Sequence, residues 1–209
     1  MIVTDIIPVN TKKWKVLTDE QLVFVLYKGE LSRYHLRKGE AIPDDLLEKI
    51  LANLTLRAKK YAMNLLVKSD KTYDELDDKL KKAGYPDEIR QSAMDYVVSF
   101  GYIDDEKYAR RYIETFRDRM GIKELCRKLQ QKGISREILS LMKEEYEDRE
   151  DEKEVLAALV EKRLRAKPVR TDKDIKNLAA YLMRRGFGGQ AMWSTIKKYC
   201  ENCKEEEEF

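Results

Sequence analysis

The residues that usually carry catalysis, metal binding or disulfide folding are nearly missing from this chain. Its 209 residues include three cysteines and a single histidine. Cys126, Cys200 and Cys203 are too few and too unevenly placed for a disulfide framework. Cys200-x-x-Cys203 is half of a tetrahedral zinc motif. The other two ligands would have to be Cys126 and His35, both distant in sequence, so no metal site is expected. No motif sets a Ser or Cys beside His35, which leaves nucleophilic catalysis without a basis. Long apolar runs are also absent. The longest, Leu22 to Tyr27, is far too short to cross a bilayer. Met1 to Val9 includes Asp5 and no basic stretch, a poor secretion signal. These absences predict a soluble, cytoplasmic protein with no cofactor and no active site.

What is present is one spacing pattern, three times over. Leu76, Leu80, Gly84, Tyr85, Ile89 and Val97 form the first copy. Leu125, Leu129, Gly133, Ile134, Ile138 and Tyr146 form the second, and Leu178, Leu182, Gly186, Phe187, Ala191 and Tyr199 the third. Apolar residues four apart share a helix face, and a Gly at that point suits a left-handed helix end. The next apolar residue can start a second amphipathic helix. Copies are offset by 49 and then 53 residues, room for about three ordinary helices each. Hydrophobic content of 43% supplies several small cores, and 39% charged residues fits narrow units with much wet surface.

The first fifty residues follow other rules. Ile2 to Val9, Trp14 to Leu17 and Leu22 to Tyr27 are β-branched or aromatic-rich and predict a small antiparallel meander. Leu31 to Leu36 could be a strand or a single helical turn. Pro43-Asp44-Asp45 opens a helix with acids at its positive end. Thr72 and Glu75 form a capping box ahead of the Leu76 helix. The expected organisation is a β-rich segment with a linking helix over 1–56, and repeats over 57–103, 104–150 and 151–209. The last repeat carries a break at Ala166-Lys167-Pro168-Val169 and ends in a frayed acidic tail.

A net charge of +3 is too small to announce a polyanion-binding protein, but its distribution says more. Lys107 to Arg136 holds ten basic and three acidic residues, and Lys162 to Lys198 eleven and two. Between them, Lys143 to Glu152 has two basic and seven acidic residues. Basic stretches in a nearly neutral chain suit contact with nucleic acid or a nucleoprotein; the plainer alternative is solvated helix faces.

The middle repeat narrows the choice. Gly101-Tyr102-Ile103-Asp104-Asp105-Glu106-Lys107-Tyr108-Ala109, then Arg117, Arg119, Gly121, Leu125, Leu129 and Lys132-Gly133-Ile134, resembles the signature of the RecX family. Thr72, Glu75-Leu76, Lys79-Leu80 and Ala83-Gly84-Tyr85 add a second match, with Ala83 where a Lys is common. In the third repeat only the Leu/Gly/aromatic skeleton matches. The resemblance implies a mainly α protein, an elongated and curved tandem array of three three-helix repeats with a small β-rich N-terminal segment. It implies a non-enzymatic, monomeric regulator that binds the RecA recombinase filament, near its single-stranded DNA. Such proteins typically lower ATP hydrolysis, strand exchange and co-protease activity. The competing reading is a helix-turn-helix-like DNA-binding protein with no recombinase partner.

Candidate contacts follow from helix geometry. With Leu125 and Leu129 inward, Lys123 and Arg127 face out; with Leu178 and Leu182 buried, so do Lys176 and Arg184. Arg110, Arg111, Arg117, Arg119 and Lys132 belong to the same electropositive stretch. Arg suits carboxylate and phosphate alike, and the alternative is pairing with neighbours such as Glu114. Tyr102, Tyr108, Trp193 and Tyr199 could stack on bases, but their place at seams and on apolar stripes favours core packing. Asp104-Asp105-Glu106 fits a helix start better than a metal site. Gly188-Gly189 lacks the spacing of a phosphate loop.

Overall fold

The computed structural model describes residues 1–146, 150–167, 169 and 171–205. It divides into two compact units, Met1–Asp104 and Asp105–Phe209.

The first unit starts with strands β1 (Val3–Pro8), β2 (Lys13–Thr18) and β3 (Val23–Tyr27), an antiparallel meander in that order. Asn10 sets the first turn, its side-chain oxygen accepting from the amides of Lys12 and Lys13 at 2.9 Å each. The Leu31 to Leu36 ambiguity resolves as a helix, α1 (Lys28–Arg33). Next come α2 (Asp44–Lys68), α3 (Tyr73–Lys82) and α4 (Asp87–Ser99). Helix α2 runs unbroken for 25 residues, so the helix opened by Pro43 and the one carrying Ala58 and Ala62 are the same helix. One apolar core joins Val3, Val16, Phe24 and Leu26 of the sheet to Ile50, Leu54, Ala58 and Ala62 of α2. Leu76, Leu80, Met94 and Val97 of α3 and α4 complete it, so the sheet and the first three-helix group fold as one body.

The second unit contains α5 (Asp105–Phe116), α6 (Ile122–Gln131) and α7 (Arg136–Tyr146) around one core. Helices α8 (Glu150–Ala166), α9 (Asp172–Arg184) and α10 (Gly189–Glu205) surround another. Of the frayed acidic tail expected over 204–209, Lys204 and Glu205 instead continue helix α10, and 206–209 lie outside the described residues, as does Pro168.

Each repeat ends its second helix in the same turn. Gly84, Gly133 and Gly186 adopt φ of +86°, +84° and +90°. The following amide returns five residues, Tyr85 to Leu80, Ile134 to Leu129 and Phe187 to Leu182, closing the helix end. The equal spacing of the three copies fails at one point. Ala191 is exposed, and Met192 and Ile196 fill the third core instead. In repeat 2 burial is likewise fuller one residue later, at Leu139 rather than Ile138. The cause is side-chain chemistry at that next position: Arg90 in the first repeat is tied to Asp77 and Asp87, whereas Leu139 and Met192 are apolar and turn inward.

Candidate functional site

The nine basic residues singled out by sequence divide into engaged and unengaged groups. Arg110 on α5 lies between Glu106, at 2.8 Å, and Glu145 of α7, and these hydrogen bonds, Glu106 first, hold its guanidinium even more firmly protonated. Arg117 is 3.3 Å from Glu114. On α6, Arg127 meets both oxygens of Glu124 at 2.7 Å, a bidentate pair that keeps the Glu124 carboxyl below its usual range. Lys132 sits over the rings of Tyr108 and Tyr112, 5.6 and 6.0 Å from their centroids. Burial raises the Tyr112 phenol, and the Lys132 charge opposes that shift. Arg111 is exposed on α5. Arg119, Lys123, Lys176 and Arg184 are also exposed, and no carboxylate pairs with their side chains among the described residues.

A seam inside the second unit brings several of these together. Gly121, at the start of α6, donates its amide to the Arg185 carbonyl at 2.8 Å. Arg185 returns a bond from Nη1 to the Arg119 carbonyl at 3.0 Å. Gly186 presses so closely on α6 that a Cβ there would stand 2.6 Å from the Glu124 amide nitrogen. Glu152 of α8 also reaches the Ile122 amide, at 3.3 Å. Arg119 and Lys123 from one repeat therefore border Arg184 and Arg185 from the next.

Two cations here escape a search by single-helix faces. Arg163 of α8 and Arg185, the end cap of α9, each lie 5.3 Å from the centroid of the Tyr181 ring. Both belong to the basic stretch from Lys162 to Lys198, but only the packing of two helices puts them on one ring. Lys132 hinted at this, because it and Arg185 both precede the turn glycine of their repeats.

The aromatic expectations need correction at two positions. Tyr102 is 51% exposed and stacks on Phe100, itself 60% exposed, with centroids 5.9 Å apart. Gly101, at φ +68°, turns the chain so that Ile103 enters the core and Tyr102 does not. Trp193 is 47% exposed because its neighbour Met192 takes the inward position. Tyr108 and Tyr199 are partly buried against their cores.

Asp105 and Glu106 occupy the first turn of α5, where acids oppose the helix dipole. No group of three or more His, Cys, Asp or Glu is placed to hold a metal among the described residues. Cys126 is a buried thiol, and the side chains of Cys200 and Cys203 lie outside the described residues. None of the described helices is long and apolar enough to cross a membrane.

Residues 58–96, the second half of α2 with α3 and α4, match the family model "RecX, first three-helix domain". A regulatory protein RecX from Clostridium botulinum is 25% identical over 196 residues, which is 90% of this chain and 91% of that protein. One from Clostridium beijerinckii is 29% identical and covers 90% of both chains. The chain is thus similar to regulatory RecX proteins along about nine-tenths of its length. A crystal structure of regulatory protein RecX shares the fold, at TM-score 0.65 and 20% identity over 94% of this chain and 98% of the other. The chain therefore has the helical-repeat fold of that structure, and the relatives it resembles are named as regulators.

Proposed function

We propose that this protein binds the RecA–DNA filament and lowers its ATP hydrolysis, strand exchange and co-protease activity. Kinship with regulatory RecX proteins along nine-tenths of the chain carries the reading. The unpaired cations of the second unit support it chemically. Arg119, Lys123 and Arg184 border one seam, and Lys176 lies further along α9, so acidic protein surface or DNA phosphate could be met without breaking an internal ion pair. Arg110, Arg117, Arg127 and Lys132 act mainly within the fold. The protein acts as a cytoplasmic monomer without cofactor, by binding rather than by chemistry. A ligand that favours one filament conformation penalises the motion that the ATP cycle requires. The β-rich segment and the first three-helix group serve this role as one body, with the second and third repeats after it in the chain.

The experiment adds this protein to RecA, single-stranded DNA and ATP. Hydrolysis should fall at substoichiometric amounts, because one bound molecule restrains several protomers or a filament end. Unchanged hydrolysis across a full titration with folded protein rejects the reading. Equal binding to bare DNA and to nucleotide-stabilised filaments would replace it with plain DNA binding.

A further inference from the structure

We propose that Arg163, Tyr181 and Arg185 form a clamp for the phosphodiester backbone of a nucleic acid. This deepens the functional reading, since it rests on the protein meeting DNA.

The arginines differ in what they pair with. Arg57, Arg90, Arg110, Arg127 and Arg165 each lie within 2.8 Å of a carboxylate oxygen. Arg163 and Arg185 pair with none among the described residues, although Arg165, two residues along the same helix, holds Glu161 at 2.7 Å. Both guanidiniums stand 5.3 Å from one ring centroid, so their charged carbons lie within twice that distance of each other. Two like charges by one ring without a carboxylate partner repel, and an anion that reaches both relieves that repulsion. Both occupy helix ends, α8 for Arg163 and α9 for Arg185, where the dipole welcomes a cation. That partial charge compensates less than one of them; Arg163 is exposed and Arg185 partly buried, and both lie by the same partly buried ring.

The Tyr181 face orients each guanidinium and leaves its in-plane N–H fork free for a partner. Arg185 spends one donor on the Arg119 carbonyl, which ties the clamp to the preceding repeat. Such planar donors suit phosphate oxygens bidentately. The basic excess from Lys162 to Lys198, eleven residues against Asp172 and Asp174, favours a ligand carrying charge at regular intervals over a single carboxylate. Lys167 already occupies Asp174, at 3.4 Å.

The test measures binding of a fluorescent oligothymidylate, and of a duplex of equal length, by anisotropy over a range of salt. Removing two phosphate contacts with Arg163→Ala and Arg185→Ala should flatten the single-strand slope of log K against log salt by about 1.4. Affinity at low salt should fall about tenfold or more. Arg165→Ala, which removes a residue already paired, should leave the slope unchanged. If the double variant misfolds, Arg163→Ala alone should still flatten the slope by about 0.7. An unchanged slope in a folded variant overturns the clamp, as does a wild-type protein that binds neither oligonucleotide. Normal oligonucleotide binding by a double variant that no longer acts on recombinase filaments would also overturn it, by assigning the two arginines to an acidic protein surface. The functional reading fails separately, on unchanged ATP hydrolysis with the wild-type protein.

Discussion

Gly84 and Gly186 hold equivalent positions in the first and third repeats, at nearly the same positive φ, yet different neighbours cover them. In the first unit, a Cβ on Gly84 would stand 2.3 Å from the Val25 Cγ2 of strand β3. In the second unit, a Cβ on Gly186 would stand 2.6 Å from the Glu124 amide and 3.0 Å from the Gly121 carbonyl of the neighbouring repeat. The turn motif thus supplies a flat docking surface, used once against a sheet and once against another repeat. The cations differ in parallel. Arg57 and Arg90 of the first unit are consumed internally, whereas the second unit leaves several unpaired beside its seam. The contrast is local: Arg57 and Arg90 are paired where they pack, whereas Arg119, Lys123 and Arg184 beside the seam meet no carboxylate among the described residues.

Glycine substitution should break the comparison most strongly. Gly186→Ala should cost about 2–5 kcal/mol, combining left-handed strain with a clash against backbone that cannot turn away. Gly84→Ala should cost somewhat less, because the obstructing Val25 Cγ2 belongs to a side chain and not to backbone, although a stiff β-branched one on a buried strand. Gly39, at φ +85° with nothing within 4 Å of its Cβ, should cost only about 1–2 kcal/mol as alanine. Thermal or denaturant unfolding of the three variants should give that order. Equal costs would show that φ alone matters and that the turns do not act as docking surfaces.

A charge-removal pair gives a smaller effect. Arg57 lies over Tyr27 at 4.9 Å and Tyr85 at 5.8 Å, bonds Glu30 at 2.7 Å and caps the Val25 carbonyl at 2.6 Å. It pins β3, α1 and the α3–α4 turn to α2. Arg57→Ala should destabilise the first unit by about 1–3 kcal/mol. Lys123→Ala, exposed in the second unit, should change stability by about 0.5 kcal/mol or less. Similar melting shifts for the two variants would erase the division between cohesive and contacting cations.

Much of this was legible in the sequence because it depends on local rules. The turn glycines, the Thr72 and Glu75 cap and the inward Leu125 and Leu129 follow from φ, hydrogen-bond supply and helix period. The meander followed from β-branched runs and the Asn10 turn. What stayed hidden depends on which helix packs on which. No periodicity announces that Gly186 meets Glu124, or that Arg163 and Arg185 share the Tyr181 ring. Trp193 was misplaced for a related reason. The third repeat turns its last helix by one residue, which rule-based spacing copied from the first repeat could not anticipate.

The smallest effect concerns how two lowered carboxylates differ in cause. Asp19 in the first unit is held down chiefly by the Ile2 amide, 2.8 Å away. Glu124 in the second is held down chiefly by its hydrogen bonds with Arg127. A carboxylate whose folded pKa is depressed stabilises the fold above its unfolded pKa, and that contribution disappears as pH falls through the folded value. For Glu124 the window therefore lies below its ordinary value of 4.5. The energy involved is small, since Arg127 is 54% exposed and solvent screens the pair. A side-chain NMR titration should find both midpoints below the ordinary values. Arg127→Ala should return Glu124 toward 4.5 while leaving Asp19 unmoved. A Glu124 midpoint indifferent to Arg127→Ala would mean the guanidinium is not spent on this pair. Arg127 would then join Lys123 among the cations available to a partner, and the line between engaged and free charge on α6 would have to be redrawn.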